Sequence, residues 1–347
     1  MQGSYAIQPI PSERRLAAEF GVNYMTVRRG IKILEDEGLL ARHNRRRSKK
    51  TSRIEQHSKK HFNFCFLMPT LASRSLEIWR NAMEKVIANR PCSVRALLYL
   101  HWDDPVLTEA VTGFDGVFLN PLPETLPDAT AAILRDPNNR VVVVDHDFSS
   151  FGIPSVRTFP PVFIQRLLDH LESLGHTSIG CLNTQPDNSE VRERIEQWRF
   201  WKAIHGFSGR LVNDAVVSQG DPLLQGYKSM DRILSEPVRE ETAWLFITAP
   251  AALGAMRAVL NHGLMPGRDL ALCTANSEGL GAMLNPRLTS LEASDPSPYI
   301  SYCLDWMSQK DQNWTGPLLM QPADLPLMIY ESTQPVGAKP RPGVRKS

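Results

Sequence analysis

The sequence lacks any long apolar run: no stretch of its 347 residues approaches the roughly 18 needed to span a membrane. Its first residues, MQGSYAIQPIPSERR, contain neither the apolar centre nor the small-residue cleavage site of a secretory signal. No membrane association and a cytoplasmic location are therefore the expectation. Cysteine is scarce. Cys65, Cys92, Cys181, Cys273 and Cys303 are scattered through mostly apolar segments, with no CxxC pair and no cysteine–histidine group at zinc spacing. They read as buried, reduced thiols, and no metal is expected. P-loop, GxSxG, HExxH and complete GxGxxG motifs are also missing; Gly279-Leu280-Gly281 lacks the third glycine. His146, flanked by Asp145 and Asp147, is the best acid–base candidate, but no nucleophile lies near it in the sequence. No catalytic residue and no cofactor are expected.

What the chain does have is a division of charge. Residues 1–60 hold 14 Lys+Arg and 6 Asp+Glu, against 25 and 31 in the rest, so a head of +8 precedes a body of −6. Such a head suits a polyanion. The closing PVGAKPRPGVRKS is basic, rich in Pro and Gly and poor in anything to bury, so 336–347 is expected to be a disordered tail.

Within the head, Ser12 after Pro11 is a good helix cap, and Leu16, Ala17 and Phe20 give the following helix an apolar face. Gly21 suits the left-handed position that ends it. A second helix is predicted from Tyr24 to Glu37, with Val27, Ile31 and Leu34 inward. Tyr24, Arg28 and Lys32 then share another face, one turn apart. Gly38 ends this helix and Leu39-Leu40 begins a strand. A helix about 10–12 Å across fits the major groove, and its first turn reaches base edges. Asn23, Tyr24, Thr26 and Arg28 occupy that turn, and Arg14 is placed to reach the same groove or its backbone. Arg45, Arg46 and Arg47, followed by Lys49 and Lys50, supply cations for phosphate where a wing would lie.

The run PSERRLAAEFGVNYMTVRRGIKILEDEGLL resembles the GntR-family winged helix-turn-helix over about 30 residues: a PSER-x-LA start, a GV turn, a TVR recognition helix and an EGLL exit. The resemblance implies DNA contacts at Arg14, Asn23, Tyr24, Thr26 and Arg28. It departs from the family in having only MQGSYAIQPI before PSER, and HNRRRSKK where the wing usually has a Gly-x-Gly tip.

From His61 the pattern alternates strands and helices. Strands are predicted at 63–68, 94–100, 116–119 and 140–145, then in a second series at 178–182, 215–218, 243–247 and 270–274, with helices between, among them 75–89, 189–205 and 223–234. This implies an α/β body of two lobes, each a doubly wound parallel sheet, with ligands at the carboxyl ends of the strands. LESLGHTSIGCL, RERIEQWRFW, ETAWLFITAPAALGAMRAVLNHGLMPGRDLAL, NPRLTSLEAS and PLMIYEST are similar to segments of the LacI-type sensor domain, which is built like a type I periplasmic binding protein. That resemblance implies a hinged clamp with three crossover segments, a ligand between the lobes and dimerisation through the sensor. Residues 1–50 are thus assigned to the winged helix-turn-helix and 51–60 to a linker. Lobe 1 is placed at about 61–158 plus 288–320, and lobe 2 at about 159–287 plus 321–335.

Ligand candidates are Thr70 and Ser73 after the first strand, Asp145 ending the fourth, Arg194 where the family has a ligand-reaching arginine, and Asn276 in place of the aspartate of its GFD motif. An aspartate expected after strand 243–247 is replaced by Ala249-Pro250, and VRTFPPVF lacks another; both losses weaken the case for a sugar. Asp145 as a cap and Arg194 paired with Glu190 are the plainer alternatives, and Trp79, Trp198 and Trp201 read as core more readily than as stacking platforms. The expected protein is a homodimeric transcription regulator, a repressor in the first instance. It would bind near-palindromic double-stranded DNA under control of a small-molecule effector, with sugars among the candidates. Two other readings stay open: a DNA-binding dimer whose sensor no longer binds anything, and a doubly wound enzyme.

Overall fold

The computed structural model describes residues 13–36, 61–70, 73–217, 220–309 and 313–334. The chain divides into two compact units, Met1–His61 and Phe62–Ser347.

In the first unit, α1 (Glu13–Glu19) and α2 (Tyr24–Asp36) form a helix pair. Leu16 is buried between them, and Val27 and Ile31 are half-buried. Helix α1 closes through Phe20 N–H to Leu16 O and Val22 N–H to Ala17 O, with Gly21 at φ 64°. Only a residue without Cβ takes that left-handed position at no steric cost. Asn23 then starts α2, its Oδ1 accepting the Met25 N–H at 2.9 Å. Phe20, expected on the apolar face of α1, is 55% exposed, because it lies past the helix end on the turn. The Ser12 cap, the strand after Gly38, the wing with Arg45, Arg46 and Arg47, the linker and the tail lie outside the described residues.

The second unit holds two six-stranded sheets. The first contains β1 (Phe62–Pro69), β2 (Cys92–Tyr99), β3 (Gly116–Leu119), β4 (Val141–Val144), β5 (Ser155–Val156) and β11 (Leu319–Met320), in the spatial order β11-β5-β4-β3-β1-β2. All its pairs are parallel. The second contains β6 (Ile179–Asn183), β7 (Leu211–Asn213), β8 (Ala243–Phe246), β9 (Ala271–Asn276), β10 (Thr289–Leu291) and β12 (Leu327–Met328), in the order β12-β10-β9-β8-β6-β7, parallel except for β10 with β12. Every residue of β3, β4, β6 and β8 is buried, as strands covered on both faces require.

Helices supply the cover. In the first lobe α4 (Pro105–Gly113) and α5 (Asp128–Leu134) pack one face, and α3 (Arg74–Ile87) with α10 (Ser297–Met307) the other. In the second, α6 (Ile164–Ser173) and α7 (Ser189–His205) face α8 (Pro222–Leu234) and α9 (Ala249–Asn261) across the sheet. Trp79, Trp198 and Trp201 are core residues, 1–3% exposed. All five thiols are free and four are fully buried; burial pushes the Cys65 thiol up to about 12.

The chain passes between the sheets three times: from β5 to α6, from β10 to α10, and from β11 to β12. Two expectations change here. Residues 289–291, assigned to lobe 1, pair with β9 in the second sheet, because the run PRLTSL adds an edge to that sheet before the chain crosses. The strand expected at 215–218 is instead Leu211–Asn213. Its ladder with β6 ends at the Asn183–Asn213 pair, and beyond it, among the described residues, only the Asp214 and Val216 N–H groups reach Asn183 O and Thr184 O.

Helices α8 and α9 touch through glycine. A Cβ on Gly254 would lie 2.0 Å from Leu223 O and 2.6 Å from Tyr227 N, both backbone atoms. Gly254→Ala should therefore force the helices apart, at about 1–3 kcal/mol. The expected fall in melting temperature is several degrees, measurable by calorimetry; an unchanged melt would show that the two helices have room for a methyl group between them.

Candidate functional site

Two surfaces collect the residues singled out from the sequence, one in each unit. On the first unit, Arg14, Asn23, Tyr24, Thr26, Arg28 and Lys32 are all exposed. Along α2, Tyr24, Arg28 and Lys32 follow one another a turn apart and are all exposed, whereas Val27 and Ile31 are half-buried. The Tyr24 hydroxyl hydrogen-bonds Glu13, which raises its pKa and fixes the start of α2 to α1. Asn23 is partly committed already: its carbonyl oxygen caps the helix, which leaves the side-chain NH2 free to donate.

On the second unit a cleft of about 1000 Å³ opens between the lobes. It is lined by the residue following, or ending, each central strand: Thr70 after β1, Asn120 after β3, Asp145 after β4, Gln185 beyond β6, Thr248 beyond β8 and Asn276 at the end of β9. That is the carboxyl edge of both sheets, where doubly wound folds hold ligands. Thr70, Ser73, Asp145, Arg194 and Asn276 all line it.

Their environments differ. Asp145 holds φ 64°, a left-handed position costing a non-glycine residue roughly 1–2 kcal/mol. Its two oxygens accept hydrogen bonds from Ser75 Oγ and from Thr158 Oγ1, the latter at 3.2 Å. Asn276 Oδ1 accepts the Glu278 N–H at 3.0 Å. Thr70 and Ser73 are exposed at the lip, and Ser73 makes no side-chain cap bond to α3. Arg194 places its guanidinium 4.7 Å over the Phe159 ring and donates Nη1–H to Ile247 O at 3.1 Å. Its Nε is buried without a partner. Burial lowers its pKa, and Glu190, Asp145 and Glu278 oppose the shift.

The expected alternative of an Arg194–Glu190 pair does not form. Glu190 meets Arg157 instead, at 3.0 Å, and Arg157 also reaches Glu193 at 3.1 Å and, at 3.9 Å, Asp147. Arg157 leaves the edge of the first sheet, where its N–H bonds Met320 O, and its side chain ends on α7 of the second lobe. The network therefore straddles a crossing. Both Arg157 and Glu190 are 7% exposed. Burial outweighs the attraction to Arg157 and pushes the Glu190 carboxyl up to about 7. His146, next to Asp145, is driven down to about 4 by burial, and the guanidiniums of Arg157 and Arg194 add to the shift. It is neutral at neutral pH, and its Nδ1 has no partner.

Arg74, Asn120, Arg157, Glu278 and Glu292 were not among the expected site residues, although all but Arg157 line the cleft. For Asn120 and Glu278 the signal was there, since each directly follows, or nearly follows, a predicted strand. Arg74 Nε donates to Glu278 O at 2.8 Å, joining α3 to the loop after β9 across the cleft.

The linkage at Glu190 has a definite sign. With its folded-state pKa above the ordinary 4.5, the native state keeps a proton that the unfolded chain releases. Stability thus declines as pH rises between about 4.5 and 7. Glu190→Gln removes that decline, so the variant's stability relative to the parent should climb across the window and level off above it. Denaturant melts at about pH 5 and pH 7.5 measure this; a pH-independent difference would mean that Glu190 is ionised throughout.

Comparison with known proteins agrees with this division. Residues 2–49 match the family described as bacterial regulatory proteins, gntR family. Over 153 residues the chain is 26% identical to the HTH-type transcriptional regulator GalR of Streptococcus thermophilus, covering 44% of this chain and 46% of that protein. Over 129 residues it is 28% identical to the HTH-type transcriptional repressor PurR of Aliivibrio salmonicida, covering 35% and 36%. These matches span less than half the length of the curated relatives. Among solved structures, a LacI family transcriptional regulator from Enterococcus faecium with bound ribose aligns at TM-score 0.65 and 17% identity, over 79% of this chain and 99% of that one. The lac repressor dimer bound to operator and the anti-inducer ONPF aligns at 0.63 and 19%, over 80% and 96%. The head is of GntR type and the body has the LacI-type fold.

Proposed function

We propose, from the premise of a GntR-type head on a LacI-type body, that this chain is a ligand-switched DNA-binding transcription regulator, a repressor in its simplest form. The observation that carries the reading is the first turn of α2. Tyr24, Thr26 and Arg28 stand exposed on a capped helix set by a glycine turn, next to Arg14. Such a helix enters the major groove, where Arg28 is suited to guanine and the free Asn23 NH2 to a base acceptor or a phosphate. Lys32, and Arg45, Arg46 and Arg47 in the wing segment, contribute phosphate contacts.

The lower half of the switch is the cleft. A ligand gripping both lobes changes their angle, and residues 51–60 pass the change to the heads. Coupling of about 1–3 kcal/mol alters operator occupancy roughly 5–150-fold. A homodimer presents two heads to a near-palindromic duplex. The relatives are regulators and not enzymes by name. No helix among the described residues is long and apolar enough to cross a membrane, and a cytoplasmic protein acting on DNA fits that.

Two measurements test this. With a duplex selected from a random pool by the intact protein, Arg28→Ala should abolish specific binding while leaving the body's melt unchanged. Full affinity in the variant would remove α2 from the interface. Neutralising Arg45, Arg46 and Arg47 should reduce the salt slope of log affinity by about 0.9 for each phosphate that these arginines neutralise. An unaltered slope would mean that this segment does not touch DNA.

A further inference from the structure

Among the described charged groups of the cleft, two on the second lobe keep an open polar group, and Arg74 of the first lobe spends its Nε on the Glu278 carbonyl. Asp145 is taken by Ser75 and Thr158, Glu190 and Glu193 by Arg157, and Glu292 by Ser277 and Ser290. Arg194 keeps an unpartnered Nε. The carboxylate of Glu278 makes no hydrogen bond or ion pair among the described residues, although its backbone is tied on both sides, to Asn276 and Arg74. Glu278 also holds φ 53°, and it and Asp145 are the two non-glycine residues of positive φ among those described. The loop keeps this conformation, and with it a carboxylate at the cleft that has no partner among the described residues.

These two groups are neighbours. Arg194 is anchored to Ile247 at the end of β8, and Glu278 follows β9, the adjacent strand. Parallel strands run about 4.7–4.9 Å apart. The guanidinium and the carboxylate influence each other's ionisation, yet no ion pair joins them. Thr248 lies at the same edge with its Oγ1 unpartnered. The cleft also has apolar lining residues, Phe159, Leu223, Pro250, Leu253 and Leu280 among them.

We propose that the cleft takes a small zwitterion of the amino-acid class, its ammonium on Glu278, its carboxylate on Arg194 and its apolar side chain against the proline–leucine wall. The proposal rests on the sensor reading above and names the ligand for it. A plain anion would leave Glu278 unanswered beside a second negative charge, and a plain amine would do the same to Arg194. A molecule carrying both charges satisfies both groups and adds no net charge to a partly buried site. A polyol also reaches both groups, but it brings no charge to answer either of theirs. The wall includes Ala249-Pro250, where the sequence lacks the aspartate expected for sugar hydroxyls.

The test is a thermal-melt series on the full-length protein. Leucine and phenylalanine are compared with their deaminated acids, with the corresponding amines, and with ribose, glucose and galactose. At about 100 times Kd an amino acid should raise the melting temperature by several degrees. The deaminated acid and the amine should bind about 10–100-fold more weakly. Glu278→Gln, which keeps the volume and breaks no protein contact, should erase the preference for the amino acid over its deaminated acid. If that variant melts differently without ligand, calorimetric titration of the parent protein with the same pairs gives the discrimination directly. A shift with sugars and none with amino acids overturns the zwitterion and leaves the sensor reading standing. A flat response to every compound overturns the zwitterion too, while operator binding separately decides the fate of the DNA-binding half.

Discussion

A parallel sheet covered on both faces has one main place for its polar side chains, the edge where its strands end. Here that constraint acts twice. The interiors of β3, β4, β6 and β8 admit no exposed position, and the α3–α10, α4–α5, α6–α7 and α8–α9 pairs occupy the four faces. Thr70, Asn120, Asp145, Thr248, Asn276 and Glu278 are where they are because the strands before them have no other outlet. Since the chain threads both sheets with their carboxyl edges toward one cleft, two unremarkable edges become a single polar chamber.

Inside that chamber the competition is between burial and pairing. Arg157 lies beside two carboxylates and still does not hold Glu190 in the ordinary carboxylate range, because desolvation is the larger effect. His146 is discharged for the same reason. Groups in this condition respond strongly to any new partner, since a hydrogen bond made where water is excluded is not offset by one given up to solvent. The Arg194 Nε and the Glu278 carboxylate are groups of this kind, both on the second lobe.

Much of this was legible in the residues. Gly116–Leu119 and the helix 189–205 appear with the expected bounds, because continuous apolar runs and a cap followed by a helical stripe are local signals. The left-handed Gly21 was equally local. What escaped depended on partners distant in sequence. Ala215–Val217 have the composition of a strand, but the β6 ladder stops at Asn213, and Thr289–Leu291 joined the second sheet because β9 offered an edge. Arg157 gave no local sign of its role, since both of its close carboxylates lie on a helix more than thirty residues away. Phe20 was misplaced for a smaller reason, one residue of helix end.

The three crossings have a consequence for how the protein is made. The first sheet is not complete until Leu319–Met320 docks beside Ser155–Val156, and the second waits for Leu327–Met328. A ribosome must therefore extend the chain past residue 320 before the first lobe can close this edge and past 328 before the second can, whereas α1 and α2 precede both lobes. Premature termination anywhere before residue 320 yields a nascent product with two open β-edges, material for chaperones and proteases and not a smaller working sensor.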